Sequence, residues 1–193
     1  MERGRFNIQL FDLRLKVTFF IDPGDFLNNN SRDIKYIDLK LSLFTNLCNA
    51  TGVFRRTIPW DKKKAFQKNA MGIVAGLIEK VDSNRLKNKD IRDAIIKLSI
   101  QSGFGKNIGA AQKVINVYLK YYCVVAGKDD NLLKELDCPI DSWVRQFYKL
   151  HNLNLKDMEM EDYEKMQRTL QDKCDMRFLA DIDPYDKRKV KEW

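Results

Sequence analysis

At 193 residues the chain fits one domain, or one domain with a small appendage. It is 44% hydrophobic with 11 Phe, 7 Tyr and 3 Trp, which excludes a wholly disordered chain. Lysine and arginine number 35 against 27 acids, a net charge of +8, which favours polyanionic partners such as nucleic acid.

The remaining composition narrows the class further. No apolar run is long enough to span a bilayer. The N-terminal stretch lacks the uninterrupted apolar block of a signal peptide, so an intracellular, soluble protein is expected. Cys48, Cys123, Cys138 and Cys174 form no C-x-x-C pair, and His151 is the sole histidine. No metal site and no cofactor are expected, and the thiols read as reduced and mostly buried.

Residues 6–21 alternate in polarity, Phe6, Ile8 and Leu10 and then Leu13, Leu15, Val17 and Phe19, which predicts one or two strands. A frayed helical arm is the competing reading. "DPGDFLNNNSRD" reads as turn and loop. Residues 1–31 are thus a β and loop appendage, and 32–193 a helical domain. Ile34, Ile37, Leu41, Phe44, Leu47 and Cys48 set a helix that ends near Gly52.

Pro59 opens the next helix, whose buried face is Ala65, Phe66, Ala70, Ile73, Val74, Leu77 and Ile78. Gly72 and Gly76 inside it permit close packing of a neighbour. Ile91, Ile95, Ile96, Leu98 and Ser99 mark a helix from about Asn88 to Gln101. "SGFGKNIG" breaks it, and another helix runs from Ala110 to Val125 with Ala110, Val114, Val117, Tyr121 and Val125 as its apolar stripe. A short segment at Leu132–Leu136 and a helix after Pro139 follow. A long polar helix then starts near Asp157 and uses Met158, Tyr163, Met166, Leu170, Cys174 and Phe178. The fold class is all-α, with a small N-terminal β element at most.

The helix after Gly109 carries the chemistry. Lys113, Asn116 and Lys120 share a face distinct from its apolar stripe, and no acid occurs between Asn107 and Gly127. A cationic and amide face at a glycine-bearing helix start suits phosphate, because the first backbone N–H groups point outward with partial positive charge.

"GAAQKVINVYLKYY" followed by "CPIDSWVRQFY" resembles the bifunctional helix–hairpin–helix DNA glycosylases, most closely the 8-oxoguanine branch with its archaeal members. The resemblance covers about Gly103 to Tyr148. It implies a hairpin glycine at Gly109, a catalytic lysine at Lys113 and, in the segment Pro139-Ile140-Asp141, a catalytic aspartate at Asp141. Ala111 stands where the family has a second hairpin glycine, and Trp143 where relatives often carry a polar group. Lys106, Asn107, Gly109, Gln112, Asn116, Lys120 and Arg145 are the implied DNA contacts, and Phe104 and Trp143 line the implied base pocket.

The implied activity is excision of an oxidised or otherwise modified base, 8-oxoguanine first, followed by strand cleavage. The partner is double-stranded DNA with a modified base or an abasic site, bound by a monomer. Such enzymes flip the nucleotide out of the stack. Lys113 attacks the anomeric carbon only as a free amine, so its pKa must fall from about 10.4. Lys106 and Lys120 are the cations expected to lower it. Asp141 supports the developing sugar cation and sits at a helix N-terminus.

Plainer roles stand beside these. Lys113 reads equally as a solvated lysine and Asp141 as a simple N-cap. Gln112, Asn116 and Lys120 read as structural, Phe104, Trp143 and Trp60 as core aromatics, and "DKRKVKEW" as a solvated end. The alternative functions are a DNA-binding or modified-DNA-sensing helical protein without chemistry, and a helical protein that binds a partner other than DNA.

Overall fold

Residues 63–82 bury a side chain every third or fourth position, and that spacing makes the first described helix, α1 (Lys63–Asp82). The computed structural model describes residues 62–101, 106–150, 153–182 and 184. All of them belong to one compact unit, Phe44–Trp193. After α1 come α2 (Asn88–Ile100), α3 (Ile108–Val125), the single turn α4 (Asp130–Leu133), α5 (Ser142–Phe147) and α6 (Met160–Gln171). Three-residue 3₁₀ turns lie at Leu155–Asp157 and Arg177–Leu179. Among the described residues there is no strand, and no helix is long and apolar enough to cross a membrane.

Helix α3 is the hub. It packs most extensively against α2, then against the Leu155–Asp157 turn and α1, and α1 also packs on α2. Fourteen of its eighteen residues are buried, so it is covered on nearly every side rather than on one stripe. Ile108, Ala111, Val114, Ile115 and Tyr118 are fully excluded from solvent. The core continues through Phe66, Ile91, Ile95 and Leu98 on the first two helices and through Tyr163 and Leu170 on α6.

Local capping fixes where the helices begin. Asn107 is the N-cap of α3, and its side chain accepts from the Ala110 N–H at 2.8 Å. Asp129 caps α4 through the Leu132 N–H. Asp90 in the first turn of α2 accepts from the Lys87 N–H at 2.9 Å and pairs with Lys80 at 2.6 Å. That lysine holds the Asp90 carboxyl below its usual range, against the opposing effect of burial. α6 starts in the same manner, with Asp162 accepting from the Glu159 N–H.

Several expectations are corrected. Ala65 is exposed and Ile73 half-buried, and Val81 completes the buried face of α1. Gly72 and Gly76 lie on its exposed side, and a Cβ at either meets no atom within 4 Å among the described residues. Ile96 is 37% exposed, while Ala94 is buried in its stead. At the C-terminal end of the α3 stripe Tyr121 is half-buried and Val125 is 42% exposed. The polar C-terminal helix stops at Gln171, and Phe178 reaches the core from a separate 3₁₀ turn. The strand reading at 6–21, the helix at 33–52, the 1–31 boundary, Cys48, Trp60, Phe104, His151 and the basic tail lie outside the described residues.

Candidate active site

The peptide that follows α4 runs through Asp137, Cys138, Pro139 and Ile140 without forming helix or strand, yet all four residues are buried. It passes beside α3 and ends at Asp141, the N-cap of α5. Asp141 Oδ1 accepts from the N–H groups of Trp143 at 2.9 Å and Val144 at 3.0 Å. Its second oxygen, Oδ2, faces Lys113 Nζ at 3.9 Å. The two side chains are 24% and 31% exposed, so a solute can reach both. The two residues lie 28 positions apart in the chain and stand in contact.

Lys113 sits in the second turn of α3, one residue beyond Gln112, and it is partly open to solvent. At 3.9 Å the contact is an ion pair longer than a hydrogen bond. Among the described residues the amine hydrogens of Lys113 are not committed elsewhere. The carboxylate has divided duties: one oxygen holds the helix start and the other faces the amine.

The supposed phosphate-facing residues are placed differently. Gln112, Asn116 and Lys120, at i, i+4 and i+8, form one stripe that points into the protein, with exposures of 0%, 1% and 3%. Gln112 exchanges two hydrogen bonds with the backbone of Ile140. Asn116 Nδ2 donates to the Tyr163 hydroxyl at 2.8 Å and to the Cys138 carbonyl at 3.3 Å. Lys120 Nζ donates to both oxygens of Asp181 at 2.7 Å. Buried polar groups require such partners, and distant segments supply them here for all but Asn116 Oδ1, which is buried without one among the described residues.

The other implied DNA contacts are also engaged. Asn107 is 8% exposed and occupied as a cap. Gly109 is buried, and a Cβ there would lie 2.1 Å from the Leu155 carbonyl oxygen, so this glycine admits the Leu155 backbone rather than a phosphate. Lys106 is exposed but paired with Glu159. Arg145 is half-buried and donates through Nη1 to the Leu153 carbonyl. Trp143 is 47% exposed on α5, beside the pair.

The absence of acids within α3 is therefore local to the sequence. Lys106, Lys113 and Lys120 each meet a carboxylate from a later segment: Glu159, Asp141 and Asp181. Lys106 and Lys120 are neutralised where they stand, which removes the expected pair of bare cations beside Lys113. Burial raises the Asp181 carboxyl above its ordinary range, and the Lys120 ammonium opposes that rise.

No family model, curated protein or solved structure matches the chain.

A buried polar network surrounds the peptide that carries Asp141. The Asp137 carboxylate, 0% exposed, forms an ion pair with Arg177 Nε at 2.8 Å and accepts from Asn88 Nδ2 at 2.8 Å and from the Tyr163 hydroxyl at 2.8 Å. Burial, reinforced by Asp137, pushes the Tyr163 hydroxyl well above its ordinary pKa and keeps it a donor. Gln167 exchanges two bonds with the Cys138 backbone. Burial likewise keeps the Cys138 thiol protonated.

Sequence reasoning missed Asp137, Tyr163, Gln167 and Arg177. One signal was available: a buried-helix spacing of three polar residues demands partners that only later segments could provide. Among the described residues no group of three or more His, Cys, Asp and Glu side chains could hold a metal ion.

Proposed function

We propose that the chain is a DNA glycosylase with associated lyase activity, acting on duplex DNA that carries an oxidised or otherwise modified base, 8-oxoguanine first. The single observation that carries this reading is the Lys113–Asp141 contact of 3.9 Å, formed by an accessible amine and an accessible carboxylate oxygen. The resemblance of residues 103–148 to helix–hairpin–helix glycosylases suggests the reaction class.

The chemistry follows from the two groups. Lys113 Nζ first releases a proton to water, and the free amine adds to C1′ of the flipped nucleotide as the C1′–N bond breaks and its electron pair leaves with the base. Loss of the amine proton and opening of the sugar ring give a Schiff base between Nζ and C1′. Removal of a C2′ proton then expels the 3′ phosphate by β-elimination. Asp141 Oδ2 stabilises the cationic sugar and accepts and returns protons at Nζ. Asp141 Oδ1 stays with the α5 cap, which fixes the carboxylate plane during the reaction.

The test is borohydride trapping on oligonucleotide duplexes that carry 8-oxoguanine or an abasic site. A covalent adduct with the wild type, lost in Lys113→Ala, supports the enzyme. A second reading, DNA binding without chemistry, is favoured by one observation: Asp141 already has a structural duty as the α5 cap. Salt-sensitive binding with no adduct would select it.

A further inference from the structure

The buried peptide before Asp141 has no secondary structure to satisfy its backbone, and each of its N–H and C=O groups must still be paired. Two glutamines do this work. Cys138 N–H donates to Gln167 Oε1 at 3.1 Å, and the Cys138 carbonyl accepts from Gln167 Nε2 at 2.7 Å. Two residues on, Ile140 N–H donates to Gln112 Oε1 at 3.0 Å, and the Ile140 carbonyl accepts from Gln112 Nε2 at 2.6 Å. Pro139, between them, has no N–H to place. Each primary amide pairs with one residue as a neighbouring strand would. Among uncharged side chains only Gln and Asn offer a carbonyl and an NH₂ together, and Asn is one methylene shorter.

The Gln112 amide is itself held from its own helix. Nε2 also donates to the Gly109 carbonyl at 3.1 Å, and Oε1 accepts from Asn116 Nδ2 at 3.4 Å. Its side chain is fully buried, so water does not replace these bonds. Gln112 is the covalent neighbour of Lys113, and Ile140 is the covalent neighbour of Asp141. One amide therefore ties the residue before the amine to the residue before the carboxylate.

We infer that Gln112 is a positioning residue: its two-way amide bond to Ile140 sets the spacing between Lys113 and Asp141. This rests on the glycosylase–lyase reading, because spacing matters to rate only if the two groups act together. Gln167 holds the same peptide from α6, but at Cys138, three residues from Asp141 and on an element that bears neither group. It stabilises the peptide without joining the amine to the acid.

The test uses the full chain in three variants, Gln112→Met, Gln112→Glu and Gln167→Met, at a temperature where each is folded. Native-state hydrogen exchange reads the clamps independently of activity. Gln112→Met speeds exchange at the Ile140 N–H, and Gln167→Met does so at Cys138. Single-turnover trapping on abasic-site duplex then reads positioning. Gln112→Met slows adduct formation by about 10²-fold with the Kd for the duplex unchanged, whereas Gln167→Met stays near the wild-type rate. Gln112→Glu keeps the shape and the acceptor for Ile140 N–H but, ionised, cannot donate to its carbonyl. It falls between the two and serves if Gln112→Met does not fold. Equal slowing by Gln112→Met and Gln167→Met, or a wild-type rate in a Gln112 variant whose Ile140 N–H exchanges freely, overturns the positioning role and leaves the glycosylase reading standing. A wild-type protein that forms no adduct while its Ile140 N–H is protected overturns both.

Discussion

Arg177 Nε lies 2.8 Å from Asp137 Oδ1 and 3.2 Å from the Leu136 carbonyl oxygen, so one guanidinium nitrogen seals the start of the peptide that ends at Asp141. The carboxylate is completely buried, and its remaining partners, Asn88 and Tyr163, are neutral. Removing the cation leaves a buried anion with hydrogen bonds but no counter-charge. Arg177→Met is expected to destabilise the fold by about 3–5 kcal/mol in urea unfolding. Adding Asp137→Asn removes the stranded charge, so the double variant is expected to be more stable than Arg177→Met alone. A loss below about 1 kcal/mol for the single variant would mean that the pair is not buried as described.

The part-buried Lys120–Asp181 pair makes a pH prediction. Burial places the Asp181 carboxyl above its ordinary 3.8 in the native state, with Lys120 working against that rise. The native protein thus holds this proton to higher pH than the unfolded chain does. The contribution is fully present below the unfolded value and is lost as pH rises through the native one. The stability of the wild type relative to Asp181→Asn should therefore decline as pH rises through and above the ordinary carboxylate range. In Lys120→Met the opposing cation is gone, and the decline should extend to higher pH. Urea midpoints across that range check it, and a flat difference would contradict a raised Asp181 carboxyl.

Three glycines separate propensity from packing. Gly72 and Gly76 sit mid-helix on the exposed side of α1 with space for a Cβ among the described residues. Alanine at either should stabilise by about 0.5–1 kcal/mol, through helix propensity and a less flexible unfolded chain. Gly109 is the opposite case, since its Cβ would meet the Leu155 carbonyl oxygen at 2.1 Å. Gly109→Ala should cost about 1–3 kcal/mol and shift the Leu155–Asp157 turn away from α3. Thermal unfolding of the three variants gives opposite signs if this holds.

How far the sequence could be read depended on whether the needed partner was local. The helix at Asn88–Ile100 and the core of Ile108–Val125 follow from apolar spacing and from the glycine-rich break between them. Asp141 as a helix start was legible because an N-cap is decided by residues within three positions. For Lys120 and Gln112 the sequence left a structural and a DNA-contacting role open, because their partners, Asp181 and the Ile140 backbone, lie 61 and 28 residues away. Spacing shows which side chains share a face, but not what covers it. Gly72 and Gly76 show the converse limit, since a glycine that permits a close approach looks the same in sequence as one that no described residue approaches.

Lys113 and Asp141 can be tested without confounding by stability. Their ion pair is partly exposed, so Lys113→Ala should change unfolding free energy by less than about 1 kcal/mol. Asp141→Asn keeps a carbonyl oxygen for the Trp143 and Val144 N–H groups and removes only the charge that faces the amine. The decisive measurement is peptide mapping of the adduct formed by borohydride reduction on abasic-site duplex. The reduced sugar should be found on Lys113, with adduct abolished in Lys113→Ala and slowed in Asp141→Asn while both remain folded. An adduct on another lysine, or undiminished trapping by Lys113→Ala, would contradict the assignment of Lys113 as the nucleophile.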